Sequence, residues 1–412
     1  MSGTGVREAI IQAHREEWAR VVASLARRFG DLDIAEEAAA EAFATAVERW
    51  PGEGVPPNPG GWLTTTANRK AIDRIRRENK RDDKQREAQM WYHDDVPEPP
   101  GAIGDVRLRL IFTCCHPALA IQTRVAVTLR LVAGLTVPEI ARAFLVRATT
   151  MEQRITRAKA KIKAARIPYR VPSAEDLPAR ISGVLAVLFL VFNEGYLTTG
   201  SGAEPVRHEL TAEAIRLTRL IRALLPGDGE ATGLLALMLL TEARRTARVS
   251  AAGDLVPLEE QDRGAWDAAL IAEGHRLVRE RLATGEAPGR YQILAAINAV
   301  HTSARDVRDT DWSQVVALYD QLVRLDPSPI IALNRAVAVA ELDGPEVALV
   351  AVNRLGDRLD GYHVYHAARA HLLRGLGRGE QARAAYDRAI ELTGNPAEAA
   401  HLQRRRDQLP HE

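Results

Sequence analysis

Apolar residues recur at three- and four-residue intervals along most of this chain, and alternation with period two is scarce. With alanine, leucine and arginine dominant, that spacing predicts helices almost throughout and an all-α fold. Residues 25–50 carry the helical pattern, with Asp31, Asp33, Glu36, Glu37 and Glu41 on or near one face. A second segment, 62–86, buries Leu63, Ala67, Ala71 (or Ile72) and Ile75 and turns Asn68, Arg69, Asp73, Arg76 and Arg77 outward. Between 125 and 162 a helix closes at Gly134, which supplies a left-handed C-cap. A short helix follows, from Pro138 to about Leu145; Thr136 caps it and Glu139, three residues on, completes a capping box. After a turn, Thr149 or Thr150 starts a longer helix.

Proline and glycine set the breaks. Residues 51–61 separate two helical stretches, 91–104 reads as an extended acidic linker, and 167–178 contains three prolines. Domains are therefore expected at 1–90, 105–168 and 175–412, which suits a chain of 412 residues, too long for one ordinary core.

Charge changes the picture more than composition does. The net charge of +1 conceals a split: residues 1–172 carry 28 Lys+Arg against 21 Asp+Glu, and residues 173–412 carry 27 against 33. A basic front and an acidic rear suggest that the front meets nucleic acid. The cations are concentrated. Nine basic and four acidic residues lie between Arg69 and Arg86, and nine basic residues and one acid, Glu152, between Arg142 and Arg170. A short helix, a tight turn and a longer basic helix make a helix-turn-helix pattern, with Arg147, Gln153, Arg154, Arg157 and Lys161 on one face or at the entry of the second helix.

Other chemistry is weaker. The longest apolar run, 184–192, is about half the length of a membrane span, and the N-terminal residues have no signal-like apolar core. Cys114 and Cys115 are adjacent, which excludes a disulfide framework; no membrane partner and a cytoplasmic location are expected. With His116 the two thiols cannot close a tetrahedral zinc site, so a buried apolar pair is expected and no metal. No Walker-type loop is present, and no cofactor is expected. Glu194, Arg244, Arg245, Arg248, Asp262, Arg263 and Asp267 form the one charged constellation that suggests a hydrolase; ion pairs and helix caps within a helical array are the preferred reading, with no catalytic residue.

Residues 35–43 (AEEAAAEAF), the proline-rich loop and 62–77 (WLTTTANRKAIDRIRR) together resemble region 2 of extracytoplasmic-function RNA polymerase sigma factors. Residues 135–146 (LTVPEIARAFLV) and 149–162 (TTMEQRITRAKAKI) resemble region 4 of the same family, and 111–120 (IFTCCHPALA) the start of region 4 in its subgroup with long C-terminal extensions. The resemblance implies that Asp33, Glu36, Glu37 and Glu41 dock on the polymerase β′ clamp; Ala40 stands where the family usually has glutamine. It implies Asn58, Asn68, Arg69, Asp73, Arg76 and Arg77 for the minus-ten element, and Arg147, Thr150, Gln153, Arg154, Arg157 and Lys161 for the minus-thirty-five element. Core RNA polymerase, through its β′ clamp and β flap, and promoter DNA are the implied partners, and the linker acids Asp94, Asp95 and Glu98 are implied to thread the RNA path.

The last third repeats. Ala336, Leu342, Glu346 and Ala348 recur 34 residues later as Ala370, Leu376, Glu380 and Ala382, the tetratricopeptide period, from about residue 311. Such an array takes a protein or peptide ligand and is expected here to regulate the front part in cis. The rival reading is a repeat scaffold tethered to DNA without polymerase binding.

Overall fold

The computed structural model describes residues 3–82, 106–144, 146–173, 175–196, 208–250 and 255–409. The acidic linker expected at 91–104 lies outside the described residues. The fold is all-α: besides helices, the described residues contain only one isolated antiparallel bridge, Val249 with Leu255. The chain divides into two compact units, residues 1–190 and 191–412.

The first unit comprises α1 (Gly3–Phe29), α2 (Leu32–Glu53), α3 (Pro59–Asp82), α4 (Val106–Cys114), α5 (Ile121–Leu131), α6 (Val137–Ala143), α7 (Ala148–Ala164) and most of α8 (Leu177–Tyr196). The stretch read from sequence as continuous from residue 25 is broken. Gly30, at φ 67°, ends α1, and the Asp31 carboxylate caps α2 by accepting the Asp33 and Ile34 amides at 2.9 and 3.2 Å. Helix α2 then runs through Pro51 and stops at Gly54, φ 85°. Alanines 35, 38, 39, 42 and 46 are buried along α2, so α1 and α3 pack closely on it, with Trp50 and Trp62 edge-to-face at 5.5 Å. Cys114 and Cys115 are both free and buried among α4 and its neighbours; burial pushes the Cys115 thiol up to about 11. Among the described residues no group of three His, Cys, Asp or Glu can hold a metal ion.

Helix α8 is long and apolar enough, by length and composition, to cross a membrane, which the length of its longest apolar run concealed. Its Val184, Leu185, Val187 and Leu188 are instead buried within the protein, and Arg180 at its start donates to the Phe112 carbonyl at 2.6 Å.

The second unit continues with α9 (His208–Leu224), α10 (Gly229–Glu242), α11 (Arg245–Arg248), α12 (Ala268–Leu282), α13 (Arg290–Ser303), α14 (Trp312–Leu325), α15 (Pro329–Asp343), α16 (Pro345–Asn353), α17 (Gly356–Leu359), α18 (His363–Gly375), α19 (Gly379–Leu392) and α20 (Pro396–Asp407). Helix α10 is buried on every side from Ala231 to Glu242. Its Gly233 sits against the Gln292 backbone of α13, where a Cβ would come within 2.6 Å. The 34-residue period maps onto helix pairs: Ala336 and Ala370 are buried on α15 and α18, Ala348 and Ala382 on α16 and α19.

Five members of the charged constellation of this unit are engaged in helix caps and hydrogen bonds. Asp262 accepts the Gly264 amide, and Asp267 caps α12 through the Ala269 and Leu270 amides. Arg263 closes the end of α13 by donating to the His301 and Ala304 carbonyls at 2.6 and 2.9 Å. Arg244 donates to Asn298, and Arg248 donates to the Tyr196 carbonyl with its guanidinium 3.2 Å from that ring's centre.

Candidate nucleic-acid interface

Helix α3 begins where Asn58 accepts the Gly61 amide at 2.9 Å, so this side chain serves as the N-cap. Leu63, Ala67 and Ala71 are fully buried, and that fixes the helix's rotation. Arg69, Asp73, Arg76 and Arg77 are exposed. Asn68 is half-buried and already engaged: its amide donates to the Thr64 carbonyl and its oxygen accepts from Arg28 at 3.2 Å. Two other cations of α3 turn towards α2, Lys70 to Glu41 at 3.6 Å and Arg74 in an ion pair with Glu37.

The helix-turn-helix forms as its residues dictate. Gly134 adopts φ 76°; the Thr136 amide donates to Glu139 Oε2 at 2.7 Å, and the Glu139 amide returns a bond to Thr136 Oγ1 at 3.4 Å. Helix α7 starts after Arg147 and buries Met151, Ile155, Ala158 and Ile162. The opposite side carries Thr150, Gln153, Arg157 and Lys161, all exposed, with Arg154 half-buried beside them and Arg147 exposed at the entry. Amide and guanidinium groups in that row match base edges in a major groove, and Lys161 suits a phosphate.

The acids of α2 separate into two groups. Glu37 and Glu41 face α3, as above. Asp31, Asp33 and Glu36 face α5 and α7: Lys159 Nζ lies 2.7 Å from Asp33 and 2.5 Å from Glu36, Lys163 Nζ 2.9 Å from Asp31, and Arg130 Nε 2.5 Å from Glu36. The Lys159 and Glu36 side chains are only 10% and 9% exposed. Burial works against the Lys159 charge, but Glu36 and Asp33 outweigh it and raise its pKa. For Asp31 burial alone would raise the carboxyl; hydrogen bonds from Lys163 and from the Ile34 and Asp33 amides bring it below the ordinary value. Sequence reasoning missed Arg130, Lys159 and Lys163 as partners of this edge. The four-residue spacing of the two lysines was the only local signal.

Comparison with known proteins agrees with this geometry. The family models "Sigma-70 region 2" and "Sigma-70, region 4" match residues 14–81 and 109–162, which are the three-helix bundle of α1–α3 and the segment from α4 to α7. The chain is an RNA polymerase sigma factor of the sigma-70 kind. Residues 180–282 of the sigma factor match a family of unknown function, DUF6596. It is 42% identical to an uncharacterized protein of Rhizobium meliloti (strain 1021), over 99% of this chain and 97% of that one, and belongs to the same family. No solved structure matches it. Regions 2 and 4 support a role in directing RNA polymerase to promoters.

Proposed function

We propose that this sigma factor is of the extracytoplasmic-function type, acts in the cytoplasm without catalysing a reaction itself, and reads two promoter elements with α3 and α7. The supporting observation is the same in both helices: one face is buried, and the opposite face presents cations and hydrogen-bonding side chains to solvent. Arg69, Asp73, Arg76 and Arg77, with Asn58 and Asn68 at the edge of that face, form the minus-ten surface. Arg147, Thr150, Gln153, Arg154, Arg157 and Lys161 form the minus-thirty-five surface. Melting a few base pairs costs a few kcal/mol per step, and capture of an extruded base against α3 offsets it. Asp33, Glu36, Glu37 and Glu41 dock on core polymerase. Run-off transcription with purified core polymerase tests the reading: a specific transcript from the promoter upstream of the gene is expected, and its absence from every upstream region tried, with no polymerase capture, leaves only a DNA-tethered scaffold.

The second unit, in the same proposal, is an array with tetratricopeptide-like repeats that binds a protein or peptide and regulates transcription in cis. The 34-residue recurrence of buried alanines supports the repeat, and the opposite charge of the two halves supports the regulation. A chain ended at Tyr196 keeps α8, whose Arg180 donates to the Phe112 carbonyl of the first unit. Higher promoter activity from that chain indicates masking, and lost activity indicates support. Equal activity removes the regulatory role.

A further inference from the structure

The acidic edge of α2 is covered by the protein itself. Asp31, Asp33 and Glu36 are the residues that meet Lys159, Lys163 and Arg130, across 94 to 132 positions of chain. The contact extends beyond the charges. Arg130 also donates to the Leu135 carbonyl and lies over the Trp18 ring at 5.8 Å. Gly134 is pressed onto α1: a Cβ there would come within 2.8 Å of His14 and 2.9 Å of Trp18. The Tyr169 hydroxyl, beyond α7, donates to the Ala23 carbonyl at 2.9 Å. Region 4 is therefore seated on region 2 through a glycine, a tryptophan and a row of ion pairs.

The geometry of α7 separates two tasks. Lys159 and Lys163 lie one turn apart on one side, while Thr150, Gln153, Arg157 and Lys161 are exposed on another. The DNA-reading row stays open in this arrangement. The edge that closes is the acidic one.

We propose that the acidic edge of α2 is a shared docking surface, held in cis by Lys159, Lys163 and Arg130 and taken in trans by a basic helical surface of core polymerase. This rests on the reading that Asp33 and Glu36 dock on polymerase. Two sets of cations cannot occupy Glu36 together, since its side chain is already enclosed by Arg130 and Lys159. Polymerase binding then requires region 4 to leave region 2, which is also the movement needed if α3 and α7 are to reach two promoter elements at once. The measured affinity is the intrinsic one reduced by the fraction of open chains. Removing the cis cations raises that fraction without touching the acids.

Binding of fluorescently labelled full-length protein to core polymerase, without DNA, tests the competition. Lys159→Ala with Lys163→Ala is expected to tighten the apparent Kd by roughly tenfold, while Asp33→Asn with Glu37→Gln weakens it. Tightening in the first and weakening in the second supports the proposal. Unchanged or weaker binding by the lysine variant, with the acid variant still impaired, overturns the cis competition and leaves the docking reading intact. Wild-type binding by the acid variant overturns the docking reading itself. A second measurement does not depend on how the lysine variant folds: Asp31→Cys with Lys163→Cys, joined by a short thiol-reversible bridge, holds the edge closed. Cys114 and Cys115 are buried and do not compete for the reagent. The bridged protein is expected to lose polymerase binding and recover it on reduction; full affinity while bridged overturns the proposal.

Discussion

Helices α3 and α7 approach the same acidic helix from two sides, and both turn a basic face to solvent. The difference lies in their contacts with α2. Lys70 of α3 and its partner Glu41 remain 39% and 43% exposed at 3.6 Å, an arrangement worth about 0–1 kcal/mol. Lys159 of α7 is buried with Glu36 at 2.5 Å, and loss of one member of such a pair leaves a charge stranded away from water. The first contact steadies a bundle that its alanine and tryptophan packing already holds. The second joins two sequence-distant regions and makes their separation costly. In each helix the cations spent on the fold are distinct from those left facing outward, so the two kinds of role can be perturbed one at a time.

The largest effect falls on melting. Arg69→Ala with Arg76→Ala, both on the exposed row of α3, is expected to leave closed-complex binding intact and to abolish open-complex formation. Permanganate reactivity of minus-ten thymines reads this directly, and undiminished reactivity removes α3 from the melting step. Next in size is the buried pair. Glu36→Ala is expected to destabilise the first unit by about 3–5 kcal/mol, because Lys159 and Arg130 lose their counter-charge. Glu41→Ala is expected to cost about 0–1 kcal/mol. Urea titrations of both variants sharpen the contrast, and equal midpoints erase it.

On the outward row of α7, Arg157→Ala should weaken promoter binding by about 1–3 kcal/mol and relax preference at one position. Lys161→Ala should weaken binding evenly and lower the salt slope by about one. Identical salt slopes and base preferences in both variants contradict the division between base and phosphate contacts. The smallest effect is with pH. Asp31 has a folded pKa below its ordinary 3.8, so its contribution is complete above that value and is lost as the pH falls through the lower folded one. Thermal melts below about pH 4 should drop less steeply in Asp31→Asn than in the native chain.

Much of this fold was legible because its signals are local. Gly134, Thr136 and Glu139 announced the helix-turn-helix by residue type and spacing, and the structure forms both hydrogen bonds of the box. The buried stripe of α3 was equally plain from Leu63, Ala67 and Ala71. Gly30 and Asp31 carried the stop and start signals that divide α1 from α2, but the apolar spacing continued across them and obscured the break. The cis partners of α2 left only one local mark, the four-residue spacing of Lys159 and Lys163. A lysine's charge states that it seeks an anion, and nothing in local periodicity selects Glu36 from among the chain's other acids. Arg263 was hidden for a similar reason, since its partners are two carbonyls at a helix end, and carbonyls leave no mark in a sequence.

The distance along the chain between α2 and α7 also fixes an order of events during synthesis. Asp33 precedes Lys159 by 126 positions. At a synthesis rate of roughly 5–20 residues per second, the acid leaves the ribosome on the order of ten seconds before the lysine exists. Throughout that interval region 2 can pack its own three helices, yet its acidic edge stands bare. In the second unit most helices pack on close neighbours in sequence, α9 and α12–α13 on α10, and α18 on α19, but Arg405 of α20 reaches back to Glu259 and Glu260 across 146 and 145 positions. Neighbouring helices there can pack in turn as they emerge, and the Arg405 pairs close when α20 is made. Each half of the molecule is thus complete only once its own last helices have been made.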